Sequence, residues 1–442
     1  MNRIKYYFSA FFLSFALIGC EVDFEDAVDI NVDSGDADFS TYVSVGNSLT
    51  AGFSNNALYE SAQREGFSVL LHNQMQAVGD IGEFTVPYLA GNGLNASGTG
   101  HLQLQFAQGC DGQVSLAPTA TTPSAFTAVN QAIPYNNVGV PGAKSFHALT
   151  PLYGDPIVGN PFFARMATNP GVSTMISEAT DLDPTFFTYW LGANDVLGYA
   201  TAGGVLDSIT STDFLATAVG ASLQALTANG ASGVVLGVPS ILSAPFFTSV
   251  PSNGLVLERQ SQIDSLNGGY FLATGFTLEQ LGINLQVGAN NFIVIDSPTS
   301  APRQIGDDEL ILLTASTDLS CNGGGSISPL TSEFFLNESE LAEIESAITQ
   351  YNATLESLAD QFGLAYLDVA SILQQYETGV DFDELTLSTE FISGGIFSLD
   401  GIHLSPRGNA LVANELINTI NSTYGSNLQL LDVSSFAGVA IP

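Results

Sequence analysis

Residues 42–52 read YVSVGNSLTAG. The β-branched and aromatic side chains at 42–45 favour a buried strand, Gly46 and Asn47 favour a turn, and the next residues favour the start of a helix. Ser48 is therefore predicted at the carboxyl edge of a sheet, where helix N-terminal amides stabilise a developing negative charge. Taken alone, Ser48 is equally well explained as a helix N-cap.

The same alternation of short strands and helices recurs along the chain. The candidate strands are Tyr42 to Val45, Asn136 to Val140, Thr185 to Leu191, Gly233 to Val238 and Leu364 to Val369. The segments 212–228 and 338–362 have the apolar periodicity of amphipathic helices. Five strands separated by helices predict one doubly wound parallel sheet, with ligand chemistry at the carboxyl ends of the strands.

Two long stretches do not follow this alternation. Residues 55–134 are rich in Gly, Ala and Thr, and residues 242–329 mix aromatic residues with Gly and Pro. We interpret both as insertions that decorate the sheet as lids or walls over the site, with a separate domain as the less favoured alternative.

Near the C-terminus, residues 398–406 read SLDGIHLSP. A loop with Asp400 and His403 three positions apart can place a carboxylate on the imidazole Nδ1 and leave Nε2 to take a proton from a serine. Ser405 is a plausible N-cap, and Pro406 suits the first position of the helix that follows. A surface histidine near a helix start is the alternative explanation for His403.

Two further turns after strands are candidates for stabilising an oxyanion. Residues 136–143 read NNVGVPGA, and the amide of Gly142 can approach a ligand because no side chain intervenes. Residues 191–195 read LGAND and offer the side-chain amide of Asn194, and the Ser48 amide is the third donor. Gly142 and Asn194 are also common turn residues, which is the simpler explanation.

The four blocks, in this order, resemble the SGNH hydrolases, also called the GDSL family of esterases and lipases. By this resemblance Ser48 is the nucleophile, Asp400 and His403 complete a triad, and Gly142 and Asn194 are oxyanion-hole partners with the Ser48 amide. No G-x-S-x-G elbow of the α/β-hydrolase type occurs. The resemblance extends from Thr41 to about Ser422, apart from the two insertions.

The resemblance implies a flavodoxin-like three-layer α/β/α sandwich with a central five-stranded parallel sheet that carries the two insertions. It also implies serine-dependent hydrolysis of carboxylic esters through an acyl-enzyme, with short to medium acyl esters as the expected substrates. The alternatives are a carbohydrate acetylesterase acting on polysaccharide and a catalytically silent surface binding lipoprotein. Asn47 stands where the family name expects Asp, so we expect altered support of the site without loss of activity.

The first twenty residues have a basic start, an apolar run and small residues before Cys20, as in a secretory signal. Residues 17–20, LIGC, resemble the lipobox of bacterial lipoproteins, which implies lipidation of Cys20, anchoring to a membrane and a cell-envelope location, with the outer membrane favoured. An ordinary signal peptide or a membrane anchor is the alternative. Residues 21–40 predict an acidic tether, favoured over a calcium loop, and residues 41–442 the hydrolase domain.

The charge balance disfavours one class of partner. Eight Lys and Arg face 44 Asp and Glu, for a net charge of −36, so the surface repels phosphate backbones and nucleic-acid binding is disfavoured. Lys144 beside Gly142 and Arg407 beside His403 are candidates for contacting an anionic substrate, although such residues more often balance nearby carboxylates.

Cysteine and histidine spacing gives no metal motif. Cys110 and Cys321 could form one disulfide in an oxidising compartment, and neither belongs to a C-x-x-C. The four histidines are scattered, so we expect no zinc site and no cofactor.

Overall fold

The computed structural model describes residues 32–79, 81–110, 112–382 and 385–441. Its centre is a five-stranded sheet in which every neighbouring pair of strands is parallel. The strands are β1 (Tyr42–Gly46), β2 (Leu102–Gln108), β3 (Val114–Ala120), β4 (Asn137–Gly139), β5 (Phe186–Trp190), β6 (Ser232–Leu236), β7 (Leu255–Leu257), β8 (Gly288–Asn290), β9 (Ile293–Ile295), β10 (Arg303–Gln304), β11 (Leu310–Ile311), β12 (Leu330–Thr331), β13 (Phe335–Leu336), β14 (Ala365–Leu367), β15 (Val380–Phe382) and β16 (Leu385–Leu387).

The order across the central sheet is β14-β6-β5-β1-β4. Counting only these five strands along the chain, the order is 2-1-3-4-5, which is that of flavodoxin-like folds. The predicted fold class and all five predicted strands are thus confirmed, with strand ends shifted by one or two residues. In this topology the switch point lies between β1 and β5, directly beside Ser48.

Helices cover both faces of the sheet. On one face α7 packs with α10, and on the other α3 packs with α12. The helices are α1 (Ser48–Ala51), α2 (Glu60–Arg64), α3 (Phe67–Met75), α4 (Pro161–Met166), α5 (Met175–Thr180), α6 (Asn194–Thr201), α7 (Thr212–Leu226), α8 (Pro245–Thr248), α9 (Gln260–Thr274), α10 (Glu338–Phe362), α11 (Val369–Gln375) and α12 (Pro406–Tyr424).

The strand sequences explain why both faces are covered. Val43 and Val45 of β1 lie in the core under α7 and α10, whereas Tyr42 lies in the core under α3 and α12. Phe186 and Trp190 of β5 join Tyr42 on that second face. Because side chains alternate across a strand, an apolar residue at nearly every position requires a packed layer on each side.

The loops that follow β1, β4 and β5 leave the sheet at the same edge. Gly46, the last residue of β1, pairs with Gly139 of β4 and with Trp190 of β5. The chain after each of these residues therefore emerges at one edge. A Cβ on Gly139 would lie 2.2 Å from the backbone nitrogen of Ala51, so α1 can approach β4 only because this residue is glycine.

The first predicted insertion begins later than expected. α3 lies within residues 55–134, yet its Phe67, Leu71 and Met75 are fully buried against the sheet. The helix is thus part of the sandwich. Its apolar pattern was not recognised because the composition of residues 55–134 as a whole is rich in Gly, Ala and Thr. The insertion itself begins after α3 and contains the β2–β3 hairpin.

The second predicted insertion, residues 242–329, builds small cores of its own. It contains helix α9 between β7 and β8, which pair in antiparallel fashion, and β9 pairs with β10 and β12 in a three-stranded sheet. Cys110, between the two strands of the β2–β3 hairpin, is joined by a disulfide to Cys321 in this second insertion. The disulfide joins the two insertions, and its cysteines are 211 residues apart in the sequence.

At the N-terminal side, the packed chain starts before position 41. Ala37 and Phe39, placed in the predicted tether, are buried in the core beneath α12. The acidic composition of the segment concealed these two apolar positions. The predicted signal peptide, Cys20 and the rest of the tether lie outside the described residues and stay predictions.

No helix in the described part of the chain is long and apolar enough to cross a membrane.

We expect Gly139→Ala to lower both thermal stability and any activity that depends on Ser48. The added methyl group would collide with backbone atoms of Thr50 and Ala51, so α1 must shift away from β4. Overpacking of this kind costs about 1–3 kcal/mol, which thermal unfolding measures.

The matched control is Gly268→Ala in α9, where a Cβ meets nothing within 4 Å. Alanine there should raise the free energy of unfolding by about 0.5–1 kcal/mol through helix propensity. Equal stability of the two variants would contradict the close approach of α1 and β4.

Candidate active site

The structure brings Ser48, His403 and Asp400 into one chain of hydrogen bonds. His403 Nε2 lies 2.9 Å from Ser48 Oγ, and His403 Nδ1 lies 3.0 Å from Asp400 Oδ2. A carboxylate only accepts hydrogen bonds, so Nδ1 carries the proton and Nε2 is left to accept from the serine hydroxyl. This arrangement can remove the proton from Ser48 as its oxygen attacks an electrophile.

Ser48 is fixed by the short helix that it begins. Asn47 caps α1, because its side-chain oxygen accepts from the Leu49 amide at 2.9 Å. Asn47 stands where the family name expects Asp. Because Asn and Asp are equally good N-caps, the capping function is kept. Ser48 retains 8% of its accessible surface, and Gly52 ends the helix in the left-handed region, with φ of 75°.

The loop that carries Asp400 and His403 is a closed turn. The Ser398 amide donates to the His403 carbonyl at 2.8 Å, and Phe397 pairs with Leu404 in an antiparallel bridge. Gly401 has φ of 72°, a conformation that other residues seldom adopt. Just beyond the loop, Ser405 caps α12 as predicted by accepting from the Gly408 amide at 3.0 Å.

Asp400 is surrounded by donors. Its Oδ1 accepts from the amides of Ile402 and His403 at 2.9 and 2.8 Å, and its Oδ2 accepts from the Asn56 amide at 2.6 Å as well as from His403 Nδ1. Burial by itself would raise the pKa of Asp400, but the charge and hydrogen bonds of His403 and the Ile402 amide lower the pKa well below its usual range. The carboxylate is therefore ionised and able to stabilise an imidazolium.

A turn at Asn55 and Asn56, which the sequence patterns did not predict, supports this loop. Both residues have positive φ, 50° and 61°. The Asn55 amide donates to Ser398 Oγ at 2.9 Å, and its side-chain oxygen accepts from the Leu399 amide at 3.0 Å. Asn tolerates the left-handed region better than most residues, so the Asn-Asn pair was a usable signal for a special turn.

The predicted oxyanion partners lie around the same point. Gly142 and Asn194 line one recess together with Ser48 and His403. Gly142 has φ of 81°, and one N–H of the Asn194 side chain donates to the Ala143 carbonyl at 3.0 Å. That bond fixes the side-chain amide and leaves its second N–H for another acceptor.

Asp195, next to Asn194, joins these two loops. Its fully buried carboxylate accepts from the Ser145 amide at 2.7 Å and from the Ser145 hydroxyl at 2.8 Å. Burial raises the pKa of Asp195 against the opposing effect of those bonds. No role for Asp195 was predicted from the sequence.

Two recesses meet at the serine, and Ser48, Asn194, Leu197 and His403 line both. The first, which we call the apolar recess, runs beside the ends of β5 and β6 and has a cavity volume of about 60 Å³. The second, the amide recess, is larger, with a cavity volume of about 350 Å³. Side-chain amides supply much of its polar lining: Asn56, Asn95, Asn160 and Asn194.

The two candidate cationic contacts are engaged elsewhere. Lys144 Nζ lies 2.9 Å from Asp207 Oδ2, and Arg407 Nε donates to the Phe436 carbonyl at 3.0 Å. Lys144 thus balances the carboxylate of Asp207. This is the more common of the two roles considered for it, the other being contact with an anionic substrate. Among the described residues there is no group of three or more His, Cys, Asp or Glu side chains suited to a metal ion.

The family model of the GDSL-like lipase/acylhydrolases matches residues 42–416. No curated protein matches the chain. Among solved structures, LAE5, an α/β hydrolase from the metagenome of Lake Arreo, Spain, is 10% identical with a TM-score of 0.37, covering 88% of this chain and 96% of that one. A GDSL-like lipase from Parabacteroides merdae is 9% identical with a TM-score of 0.36, covering 89% and 99%. The acetyl xylan esterase AlAXEase is 12% identical with a TM-score of 0.32, covering 85% and 98%.

The flavodoxin-like sheet and the site at its carboxyl edge place the protein among the hydrolases. The family match spans most of the chain, so the chain belongs to the GDSL-like lipase/acylhydrolase family. The resemblance found in the sequence blocks is thereby confirmed.

Asp400→Asn should make the free energy of unfolding less sensitive to a fall in pH. The pKa of Asp400 in the folded protein lies below the value of 3.8 for an unperturbed Asp. The ionised form therefore stabilises the fold above about pH 4, and this contribution is lost as the pH falls through the folded value. Urea denaturation between pH 6 and pH 3 should show a smaller fall in the free energy of unfolding for the variant than for the wild type.

Asp264→Asn, which changes an exposed carboxylate on α9, is the control and should follow the wild type. Parallel curves for the wild type and Asp400→Asn would contradict the stabilised carboxylate.

Proposed function

We infer that the protein is a serine-dependent carboxylic ester hydrolase that acts through an acyl-enzyme on short to medium acyl esters. The observation that carries this proposal is the unbroken chain of hydrogen bonds from Ser48 through His403 to Asp400. Nucleophile, base and orienting carboxylate stand at hydrogen-bonding distance, which is the geometric requirement for nucleophilic acyl transfer.

In the first half-reaction Ser48 Oγ attacks the ester carbonyl carbon while His403 Nε2 takes the hydroxyl proton. The tetrahedral intermediate then breaks its bond to the alcohol oxygen, and His403 returns the proton to that oxygen. In the second half-reaction water attacks the acyl-serine, His403 takes the water's proton, and the carboxylic acid leaves as the proton returns to Ser48 Oγ. Asp400 orients the ring and stabilises the imidazolium in both halves.

The negative oxygen of each tetrahedral intermediate needs donors. We assign the Ser48 amide, the Gly142 amide and the free N–H of Asn194 to this role, because Ser48, Gly142 and Asn194 all line the amide recess beside His403. Asp195 supports the assignment, since its contact with Ser145 holds the loop after Gly142 against the start of α6.

The deciding measurement is hydrolysis of p-nitrophenyl esters, from acetate to octanoate, by the wild type and by Ser48→Ala. We expect turnover by the wild type and a loss of at least about a thousandfold in the variant, because no other group replaces the nucleophile. A fluorophosphonate should label Ser48 in the wild type.

Ser265→Ala, which removes an exposed hydroxyl from α9, should leave turnover and labelling unchanged. Activity that survives in Ser48→Ala would exclude this mechanism.

Asn194→Ala should lower kcat about 100- to 1,000-fold, the scale of one lost oxyanion donor. The donor acts on charge that exists only in the transition state, so KM should change little while kcat and kcat/KM fall together. Asn229→Ala, at an exposed position after α7, serves as the control. Unchanged kcat in Asn194→Ala would remove this residue from the mechanism.

A carbohydrate acetylesterase is the second candidate, favoured by the side-chain amides of Asn56 and Asn194 in the amide recess. Such amides are suited to binding sugar hydroxyls, whereas those of Asn95 and Asn160 are engaged in hydrogen bonds within the protein. Activity on acetylated polysaccharide well above that on p-nitrophenyl acetate would favour this candidate. Absence of hydrolysis on both would favour a catalytically silent binding protein.

A further inference from the structure

The turn that carries Gly142 has a central peptide group with two possible orientations. The Ala143 amide donates to the Val140 carbonyl at 3.1 Å, which closes a β-turn over residues 140–143. Gly142 has φ of 81°, the value expected for the third residue of a type II turn. Type I and type II turns differ by a half-rotation of the central peptide group, which here joins Pro141 to Gly142. That rotation exchanges the directions of the Pro141 carbonyl and the Gly142 N–H.

Asn160 holds this peptide group by its carbonyl. Asn160 Nδ2 donates to the Pro141 carbonyl at 2.8 Å. Because a peptide group is planar and trans, its carbonyl and its N–H point in opposite directions, so a fixed Pro141 carbonyl also fixes the Gly142 N–H. Among the described residues the Gly142 N–H has no acceptor, and Gly142 lines the amide recess. The bond from Asn160 therefore keeps this N–H pointing away from Asn160 and available to a ligand oxygen.

Asn160 has no hydrogen-bonding capacity left for a ligand of its own. Its Nδ2 also donates to the Tyr153 hydroxyl at 2.9 Å. Its Oδ1 caps α4 by accepting from the amides of Phe162 and Phe163 at 2.9 and 3.3 Å. A side-chain amide offers two N–H donors and two lone pairs, and all four are used here. Asn160 lines the amide recess, but its hydrogen bonds hold the protein and not a substrate.

The residues that follow Gly142 are each held by a different side chain. These contacts are Asn194 Nδ2 to the Ala143 carbonyl at 3.0 Å, the Lys144 amide to His147 Nδ1 at 3.0 Å, and the Ser145 amide to Asp195 Oδ2 at 2.7 Å. In the described part of the chain, Asn160 is the only side chain that bonds to the peptide group between Pro141 and Gly142. Loss of the Asn160 donor should therefore release this one peptide group and leave the rest of the loop in place.

We propose that Asn160 is a positioning residue for the oxyanion site, because it selects the orientation of the Pro141–Gly142 peptide group in which the Gly142 N–H faces the tetrahedral intermediate. The inference rests on the ester hydrolase function above and on the role of Gly142 as an oxyanion donor. A Pro-Gly pair already favours a type II turn, and the bond from Asn160 lowers the population of the other orientation further. In that other orientation the Pro141 carbonyl would face the oxyanion and repel it.

Two substitutions test this role. Asn160→Ser keeps a good N-cap for α4, but its hydroxyl is too short to reach the Pro141 carbonyl. For p-nitrophenyl butyrate we expect this variant to lower kcat about 3- to 10-fold, the scale of one hydrogen bond between neutral groups. KM should stay within about threefold of the wild type, because the Gly142 N–H acts on charge that exists only in the transition state.

Asn160→Asp should have the larger effect. It keeps the shape of the side chain and the acceptor that caps α4, but it replaces the Nδ2 donor by an oxygen. The new carboxylate would repel the Pro141 carbonyl and attract the Gly142 N–H, so it favours the rotated peptide group. We expect kcat to fall about 10- to 100-fold, approaching the loss of a complete oxyanion donor.

The matched controls are Asn337→Ser and Asn337→Asp, which make the same changes at another asparagine that caps a helix. Asn337 accepts from the amides of Ser339 and Glu340 at 3.0 and 3.1 Å at the start of α10, and it lines neither recess. Both variants should keep the wild-type kcat. A fall in kcat equal to that of the Asn160 variants would assign the effect to capping and overturn the positioning role.

A crystal structure of Asn160→Asp separates this inference from the ester hydrolase proposal. We expect φ of Gly142 to become negative in this variant. If the wild type hydrolyses esters but both Asn160 variants keep its kcat, or if kcat falls while φ of Gly142 stays positive, the positioning role is overturned and the hydrolase stands. If the wild type hydrolyses no ester, the hydrolase proposal fails. In that case a negative φ still supports control of the peptide group by Asn160, and a positive φ overturns it.

Discussion

The contact between His403 Nε2 and Ser48 Oγ joins residues 355 positions apart, and much of the architecture serves to make it possible. Ser48 is brought to the edge of the sheet by β1 and α1, which approach β4 only because Gly139 has no side chain. His403 lies on a closed turn that precedes α12. The apolar face of α12 is buried against the side of the sheet that carries Tyr42 and Trp190. An error of about 1 Å in either segment would break the hydrogen bond, so the packing of both must be rigid.

The second requirement is electrostatic. A buried carboxylate is costly unless its lone pairs are satisfied, and Asp400 receives four donors, three of them backbone amides. Two of the amides belong to its own turn, but the third belongs to Asn56, which has a positive φ. The unfavourable backbone conformation at Asn55 and Asn56 is thus offset by the bonds it makes to the loop that carries Asp400 and His403.

Local patterns in the sequence predicted the five strands, helices α7 and α10 and the residues that meet at the candidate site, because short runs and turn motifs report on local structure. They could not predict what depends on contacts between distant segments. The burial of α3 was hidden in a stretch of misleading composition, and the support of Asp400 by Asn56 required two loops to meet. The same holds for the two recesses, whose walls are contributed by residues from all parts of the chain.

The second insertion contacts the turn that carries Asp400 and His403. Ala244 and Phe247 line the apolar recess, while the Phe246 amide between them and Gly401 in the catalytic turn share a backbone hydrogen bond. A Cβ on Gly401 would lie 2.8 Å from the Phe246 nitrogen, so the two segments touch with no room for a side chain between them. Substitutions that shift the backbone of this segment must therefore also displace the turn that orients His403, so the position of the second insertion and the geometry of the candidate site are coupled.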